Sequence, residues 1–93
     1  VFDVVNGRHL RNGRVFAVIE PGISDGLRID EHGHVFTSAG DGIHVYSEVG
    51  KRLGKILVPE AVSNCTFGGP RRSQLFITAT SSVYAIDLNT KGL

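Results

Sequence analysis

Apolar and polar residues alternate over short stretches along most of the chain, and segments that contain Gly or Pro separate these stretches. In one such stretch, Val35 and Thr37 would lie on one face of a strand and Phe36 on the other. No window keeps apolar residues at i, i+3, i+4 and i+7 without an interrupting Gly or Pro, which excludes an amphipathic helix. The alternation therefore predicts an all-β protein.

The alternating stretches predict nine short strands that end at turn-forming residues. Gly40-Asp41-Gly42 is a hairpin signal, and Pro59 ends a strand because proline cannot donate to a β ladder. Two Asn-Gly pairs in the polar segment 6–13 predict a loop between the first two strands. From residue 26 onward, four consecutive strands predict an antiparallel meander. The predicted strands are 1–5, 14–19, 26–30, 34–39, 43–46, 53–58, 63–67, 74–79 and 83–87.

The second half of the chain repeats the pattern of the first half. The period is about 40 residues, which is typical of a four-stranded propeller blade. The aligned pairs are Asp25 and Asn64, Phe36 and Phe76, and Tyr46 and Tyr84.

On this repeat, residues 1–93 form one partial propeller. Residues 1–19 would be the outer strands of one blade, 24–58 a complete blade, and 62–93 an incomplete blade. A blade packs against its neighbours and is not stable as an isolated sheet. We therefore expect either a piece of a longer protein, as the strand-like start at Val1 also indicates, or copies that assemble into a ring.

Composition and charge exclude several classes of protein. With 93 residues, 41% of them hydrophobic and 20% charged, the chain is ordinary for a globular domain. A net charge of +1 is too small to favour a nucleic-acid or anionic-membrane partner, and no apolar run is long enough to cross a membrane. The lone Cys65 cannot form an internal disulfide, so a cytoplasmic location is the default expectation.

A resemblance to a known family begins at the turn before the third predicted strand. The matching pieces are Ser24-Asp25-Gly26-Leu27, Ile29-Asp30, Gly33, Gly40-Asp41-Gly42 and Ser63-Asn64-Cys65-Thr66-Phe67-Gly68-Gly69. This stretch resembles the C-terminal part of the gluconolactonase, regucalcin and luciferin-regenerating-enzyme family. The resemblance implies two blades of a six-bladed β-propeller. This chain departs from the family pattern at Ser24, where the family usually has Pro.

The resemblance also implies a catalytic metal at the central channel, with Asp25 as one of its ligands. The family holds this metal with a Glu, two Asn and one Asp, which suits calcium because hard cations prefer oxygen ligands. The metal polarises a lactone or ester carbonyl and activates water for hydrolysis. Of these four ligands, this chain matches only the Asp, at Asp25. We therefore expect a module of a metal-dependent lactonase or esterase-type hydrolase that is inactive alone.

Two neighbouring residues are candidates for lining the channel. Asn64 occupies the position equivalent to Asp25 in the next repeat, and Cys65 follows it. Asn64-Cys65-Thr66 also fits the N-glycosylation pattern, but a channel-facing strand disfavours that modification. We expect Cys65 to be a small buried side chain rather than a nucleophile.

Other chemistry-bearing residues favour structural roles. We expect Arg28 to pair with Asp30 or with an acid of another blade. The histidines lack the spacing of a zinc site and are expected to be solvated turn residues. They are His9, His32, His34 and His44.

The competing hypothesis is a non-catalytic propeller or β-sheet module used for binding or assembly. In that case Asp25 is only a turn residue, because Asp-Gly makes tight turns on its own. Under either hypothesis, we expect the partners to be the rest of a propeller or further copies of the chain. The enzyme hypothesis also predicts a small lactone or ester as substrate. Unpaired apolar edges at residues 15–19 and 83–86 predict that the chain alone is not a compact monomer.

Overall fold

The computed structural model describes residues 3–5, 9–11, 13–20, 22 and 24–93. Antiparallel strands form all of the regular structure in these residues, and they contain no helix. The prediction of an all-β protein is therefore confirmed. The strands are β1 Asp3–Val5, β2 His9–Arg11, β3 Leu27–Ile29, β4 Val35–Ala39, β5 Gly42–Tyr46, β6 Arg52–Leu57, β7 Val62–Gly68, β8 Gln74–Ala79 and β9 Val83–Asp87.

The strands form three separate sheets. β1 pairs with β2, the strands β3 to β6 form a four-stranded meander in chain order, and β7 to β9 form a three-stranded meander. From β3 onward the strands lie within one residue of their predicted bounds at either end. Local alternation and turn residues predict these strands well because each pairs with its neighbour in sequence. The division into blades at residues 19, 24, 58 and 62 stays a prediction.

The N-terminal prediction is wrong in two respects. Residues 13–20 form no strand, although 14–19 were predicted to be one, and β2 lies instead within the predicted polar loop. Phe16 packs edge to face against Tyr46, with ring centroids 6.4 Å apart, so this segment contacts the four-stranded sheet through a side chain. Strand propensity depends on packing context, so an alternating apolar run does not make a strand by itself. Residues 1 and 2 of the first predicted strand lie outside the described residues.

The hydrophobic core lies between the four-stranded and three-stranded sheets. β7 contacts both β3 and β4. Across this contact the Phe36 and Phe67 rings meet edge to face, with centroids 5.3 Å apart, an arrangement that aromatic rings prefer. The buried core side chains are Phe36, Ile43, Val58, Val62, Cys65, Leu75 and Ile77.

The C-terminal residues return to the end of β3. The amide of Glu31 donates to the Lys91 carbonyl at 2.8 Å, and the amide of Leu93 donates to the Ile29 carbonyl at 3.0 Å. Between them, Asp30 forms a β-bridge with Gly92. The strand that follows the Asp25 turn is therefore held at its far end by residues about 60 positions later in the chain.

Asp30 is the centre of this junction, and its side chain is fully buried. Its Oδ1 accepts hydrogen bonds from the amides of His32 and His34, at 2.9 and 2.8 Å. Its Oδ2 meets the His34 ring Nδ1 and the Thr90 hydroxyl, both at 2.8 Å. A buried carboxylate is tolerated only when its oxygens are satisfied in this way.

Candidate functional site

The Asp25 turn is held by a buried serine on β4. The Ser38 hydroxyl oxygen accepts the amide hydrogens of Asp25 at 2.8 Å and of Gly26 at 3.0 Å. The Ser38 amide donates in turn to the Gly26 carbonyl at 2.9 Å. A side-chain hydrogen bond between Ser24 and Thr37 ties the start of the turn to the same strand. The backbone of the turn is thus fixed by hydrogen bonds to β4 and not by the Asp25 side chain.

The Asp25 carboxylate is exposed and has no hydrogen-bond or ion-pair partner among the described residues. An Asp that serves only its own turn typically accepts hydrogen bonds from nearby backbone amides. Here Ser38 accepts those amides instead. Both carboxylate oxygens of Asp25 are therefore available to a ligand.

Asn64 lies directly against the Asp25 turn. A Cβ placed on Gly26 would be 2.1 Å from Oδ1 of Asn64, so only glycine permits this close approach. Asn64 Oδ1 also accepts the Cys65 amide at 2.8 Å. Asn64 on β7 therefore lies against Gly26, the residue that follows its repeat-equivalent Asp25. Whether Asn64 and Asp25 line a channel stays a prediction.

Cys65 belongs to the core, with 2% of its surface exposed. Its Sγ lies 3.7 Å from the Phe36 carbonyl oxygen. Burial raises the pKa of the Cys65 thiol to about 11, and the nearby positive charge of Arg28 opposes this only in part. The thiol stays protonated near neutral pH, so it is a packing residue and not a nucleophile.

A cavity of about 220 Å³ opens beside Asn64. The expected Arg28–Asp30 pair is not formed, because His34, Thr90 and two amides occupy the Asp30 oxygens. Arg28 instead donates from Nη1 to the Leu27 carbonyl at 2.7 Å. The cavity is lined by Arg28, Asn64, Cys65, Thr66, Phe76 and Thr78.

The expectation of solvated histidines is wrong for His44, which is fully buried on β5. Its Nε2 lies 2.6 Å from Asp41 Oδ1, and Asp41 Oδ2 accepts a hydrogen bond from Lys55 at 2.9 Å. The Lys55 and His44 hydrogen bonds lower the pKa of Asp41 to about 2. Cross-strand packing buries His44, and the spacing of histidines along the sequence carries no signal of it. The side chain of His9 lies outside the described residues.

The described part of the chain contains no group of three His, Cys, Asp or Glu side chains that could hold a metal ion. It also contains no helix long and apolar enough to cross a membrane. The Asp25 carboxylate therefore forms no metal site with other described residues, and its role as a metal ligand stays a prediction. Ser38, which orders the Asp25 turn, was missed from the sequence because serine inside an alternating strand carries no distinctive pattern.

Comparison with known proteins assigns the class of this chain. Residues 1–81 match the family model described as the SMP-30/gluconolactonase/LRE-like region. The chain belongs to this family of gluconolactonase-like hydrolases, as its resemblance implied.

Individual relatives agree with this assignment. A gluconolactonase of Zymomonas mobilis is 37% identical over 73 residues, covering 76% of this chain and 20% of the relative. A lactonohydrolase of Aspergillus oryzae is 32% identical over 92 residues, covering 98% of this chain and 20% of the relative. Regucalcin of Danio rerio is 33% identical over 84 residues, covering 84% of this chain and 28% of the relative.

Solved structures extend the similarity to three dimensions. An X-ray structure of a protein described as a gluconolactonase by family has a TM-score of 0.90 and 40% identity, covering 96% of this chain and 31% of that one. A gluconolactonase of Xanthomonas campestris has a TM-score of 0.85 and 34% identity, covering 94% of this chain and 29% of that one. This chain therefore spans about a fifth to a third of the length of the relatives that it matches.

Proposed function

We propose that this chain is the part of a metal-dependent lactonase or esterase-type hydrolase that supplies Asp25 as one ligand of a calcium ion. The observation that carries the proposal is the exposed Asp25 carboxylate, which lacks a partner among the described residues and sits on a turn held by Ser38. The named lactonases among the relatives support the reaction class.

The available donors fit this assignment as part of a site. A carboxylate oxygen suits a hard cation such as calcium, which takes six to eight oxygen ligands. A single carboxylate does not make such a site, and the described residues hold no larger group. The chain alone is therefore proposed to be inactive, and the remaining ligands would come from other blades.

In the complete enzyme, the residues of this chain hold and orient a ligand. A bound cation would polarise the carbonyl of a lactone or ester. Ser38 and Thr37 fix the backbone of the turn, so the position from which the Asp25 side chain projects is set before substrate arrives. Such preorganisation avoids the cost of ordering the ligand during the reaction.

The proposed whole is a six-bladed ring, completed by further residues of a longer protein or by further copies of the chain. An apolar face of the four-stranded sheet supports this. Phe16, Leu27, Ile29 and Val35 line a cavity of about 430 Å³ on that face. In a ring this face would pack against a neighbouring blade.

Replacing Asp25 tests the proposal. In the complete protein, Asp25→Asn should weaken calcium binding, and hydrolysis of a lactone, by about 10-fold or more, since even partners beyond the direct ligands contribute that much. The amide keeps the size of the side chain and the backbone hydrogen bonds of the turn, but it loses the charge. Calorimetric titration with calcium and a lactone hydrolysis assay measure the two effects.

The matched control is Asp87→Asn, an exposed carboxylate on β9, which should change neither quantity. The alternative, a non-catalytic module whose Asp25 is only a turn residue, draws support from the same apolar face. Unchanged calcium affinity in Asp25→Asn would favour that alternative.

A further inference from the structure

We propose that the cavity beside Asn64 is a binding subsite for the carboxylate of a small hydroxy acid, with Arg28 as the recognising cation. The identity of the ligand rests on the proposed lactonase function, because lactone hydrolysis produces such an acid. The site itself rests on the geometry of Arg28 and the cavity walls.

Arg28 is a cation without a counter-ion among the described residues. No carboxylate there lies within ion-pair distance of it, and Asp30, its expected partner, is fully engaged elsewhere. One guanidinium nitrogen is anchored on the Leu27 carbonyl at 2.7 Å. Only one of its five N–H donors is needed for that bond, so the others remain to bind a ligand.

The cavity walls combine polar donors with one apolar surface. Thr66 contributes a hydroxyl group, Asn64 contributes a carboxamide, and the Phe76 ring contributes an apolar surface for the carbon chain of a ligand. The Thr78 hydroxyl donates to the Asn64 carbonyl at 3.3 Å and completes the wall. At about 220 Å³ the cavity is smaller than the roughly 300–1,000 Å³ of drug-sized sites. It therefore suits a small polar molecule that carries a negative charge.

The cavity adjoins the proposed metal ligand. Asn64 is part of its wall and also packs against Gly26, the residue after Asp25. In lactone hydrolysis, water adds to the acyl carbon and the ring C–O bond breaks. The ring oxygen takes up a proton, and the new acid releases one to solvent as it becomes a carboxylate. Arg presents a planar fork that matches a carboxylate with two parallel hydrogen bonds.

Binding of gluconate to the complete protein tests the subsite without turnover. Calorimetry in the presence of a metal chelator should detect gluconate and not glucitol, which has the same carbon chain and no charge. Arg28→Gln should weaken gluconate binding by about 10-fold or more, because it removes charge-assisted hydrogen bonds. Arg28→Lys should give an intermediate loss, since lysine keeps the charge but lacks the fork.

Matched controls separate a specific effect from a general one. Arg52→Gln removes an exposed arginine on β6, away from the cavity, and should leave gluconate binding unchanged. Two-dimensional amide NMR spectra of each variant report whether the fold is kept. In the unsubstituted protein, the amides of Thr66 and Thr78 should shift on addition of gluconate.

Four results would overturn the subsite: no binding of gluconate, equal binding of glucitol, equal binding of inorganic phosphate, or unchanged gluconate affinity in a folded Arg28→Gln variant. Failure of the proposed function is distinguishable. If gluconate binds through Arg28 but Asp25→Asn leaves calcium affinity unchanged, the subsite stands and the metal-ligand role falls. If Asp25→Asn weakens calcium binding but gluconate does not bind, the metal-ligand role stands and the subsite falls.

Discussion

Asp30 is a fully buried acid whose environment favours its charged form. Burial by itself would raise the pKa of the Asp30 carboxyl, but hydrogen bonds from the His34 side chain and amide, the Thr90 hydroxyl and the His32 amide together lower it below 3.8. The Thr90 hydrogen bond also joins the C-terminal residues to the end of β3. The Asp30 side chain therefore adds one hydrogen bond to the backbone hydrogen bonds that Lys91, Gly92 and Leu93 make with the rest of the protein.

Replacing this residue should be costly. Asp30→Asn keeps the size of the side chain but loses the charge, and its NH₂ group cannot accept the donors that now meet Oδ1 or Oδ2. Each hydrogen bond to a charged group contributes about 1.5–3 kcal/mol, so we expect a loss of at least that size in the free energy of unfolding. Urea denaturation of the complete protein measures the loss.

The exposed Asp87→Asn is the comparison variant, with an expected change within about 0.5 kcal/mol. A similar small change in Asp30→Asn would show that the network contributes little. Hydrogen exchange at the Leu93 amide, which donates to Ile29, should accelerate in the Asp30 variant if the C-terminal residues are released.

At the scale of elements, Glu60 lies in the segment between β6 and β7 and binds the β8–β9 hairpin. Its carboxylate accepts hydrogen bonds from the Ser81 amide at 3.0 Å, the Ser81 hydroxyl and the Tyr84 hydroxyl at 2.5 Å. These hydrogen bonds, from Ser81 first and then Tyr84, lower the pKa of Glu60 from 4.5 to about 2. Two elements that are distant in sequence are thus linked through a charged group.

This link predicts a loss of stability in acid. A carboxyl whose pKa is lowered in the folded state stabilises it fully above the unfolded value of 4.5, and this contribution is lost as the pH falls towards 2. Asp41, with a pKa of about 2, adds to the same loss. Unfolding midpoints measured between pH 6 and pH 2 should therefore fall steeply below pH 4.5.

Glu60→Gln should make that profile shallower, because glutamine does not titrate. Glu48→Gln, at an exposed residue, is the matched control and should leave the slope unchanged. A Glu60→Gln profile that overlays the unsubstituted one would contradict the role assigned to Glu60.

At the scale of the whole molecule, each of the two larger sheets has an outer strand with exposed apolar side chains, β6 in one and β9 in the other. Val83 on β9 is 69% exposed, and Leu57 on β6 is 73% exposed. Among the described residues, β9 pairs with β8 alone and its other edge is open. Open edges and exposed apolar surface favour association with other chains or segments.

We therefore expect the 93-residue chain, isolated from any further part of a ring, to self-associate. Light scattering should report species larger than one chain, in amounts that grow with protein concentration. Cooperative unfolding of a well-behaved monomer in the same samples would contradict this expectation.

Local pattern alone determined the strands from β3 to β9 and their antiparallel meanders. Period-two alternation specifies a strand, and a tight turn forces the next strand to pair with it, so both signals lie within a few residues. Membership of the family also follows from the sequence, because short motifs and their order carry it.

Only the tertiary structure decided which side chains meet across the two sheets. It buried His44, paired Asp30 with Thr90 instead of Arg28, and placed Ser38 rather than Asp25 on the turn amides. Phe16 lies outside any strand, although one was predicted there, and its ring packs against Tyr46. Such contacts join residues far apart in sequence, and the free energy of burying or satisfying a group depends on neighbours that no local pattern specifies.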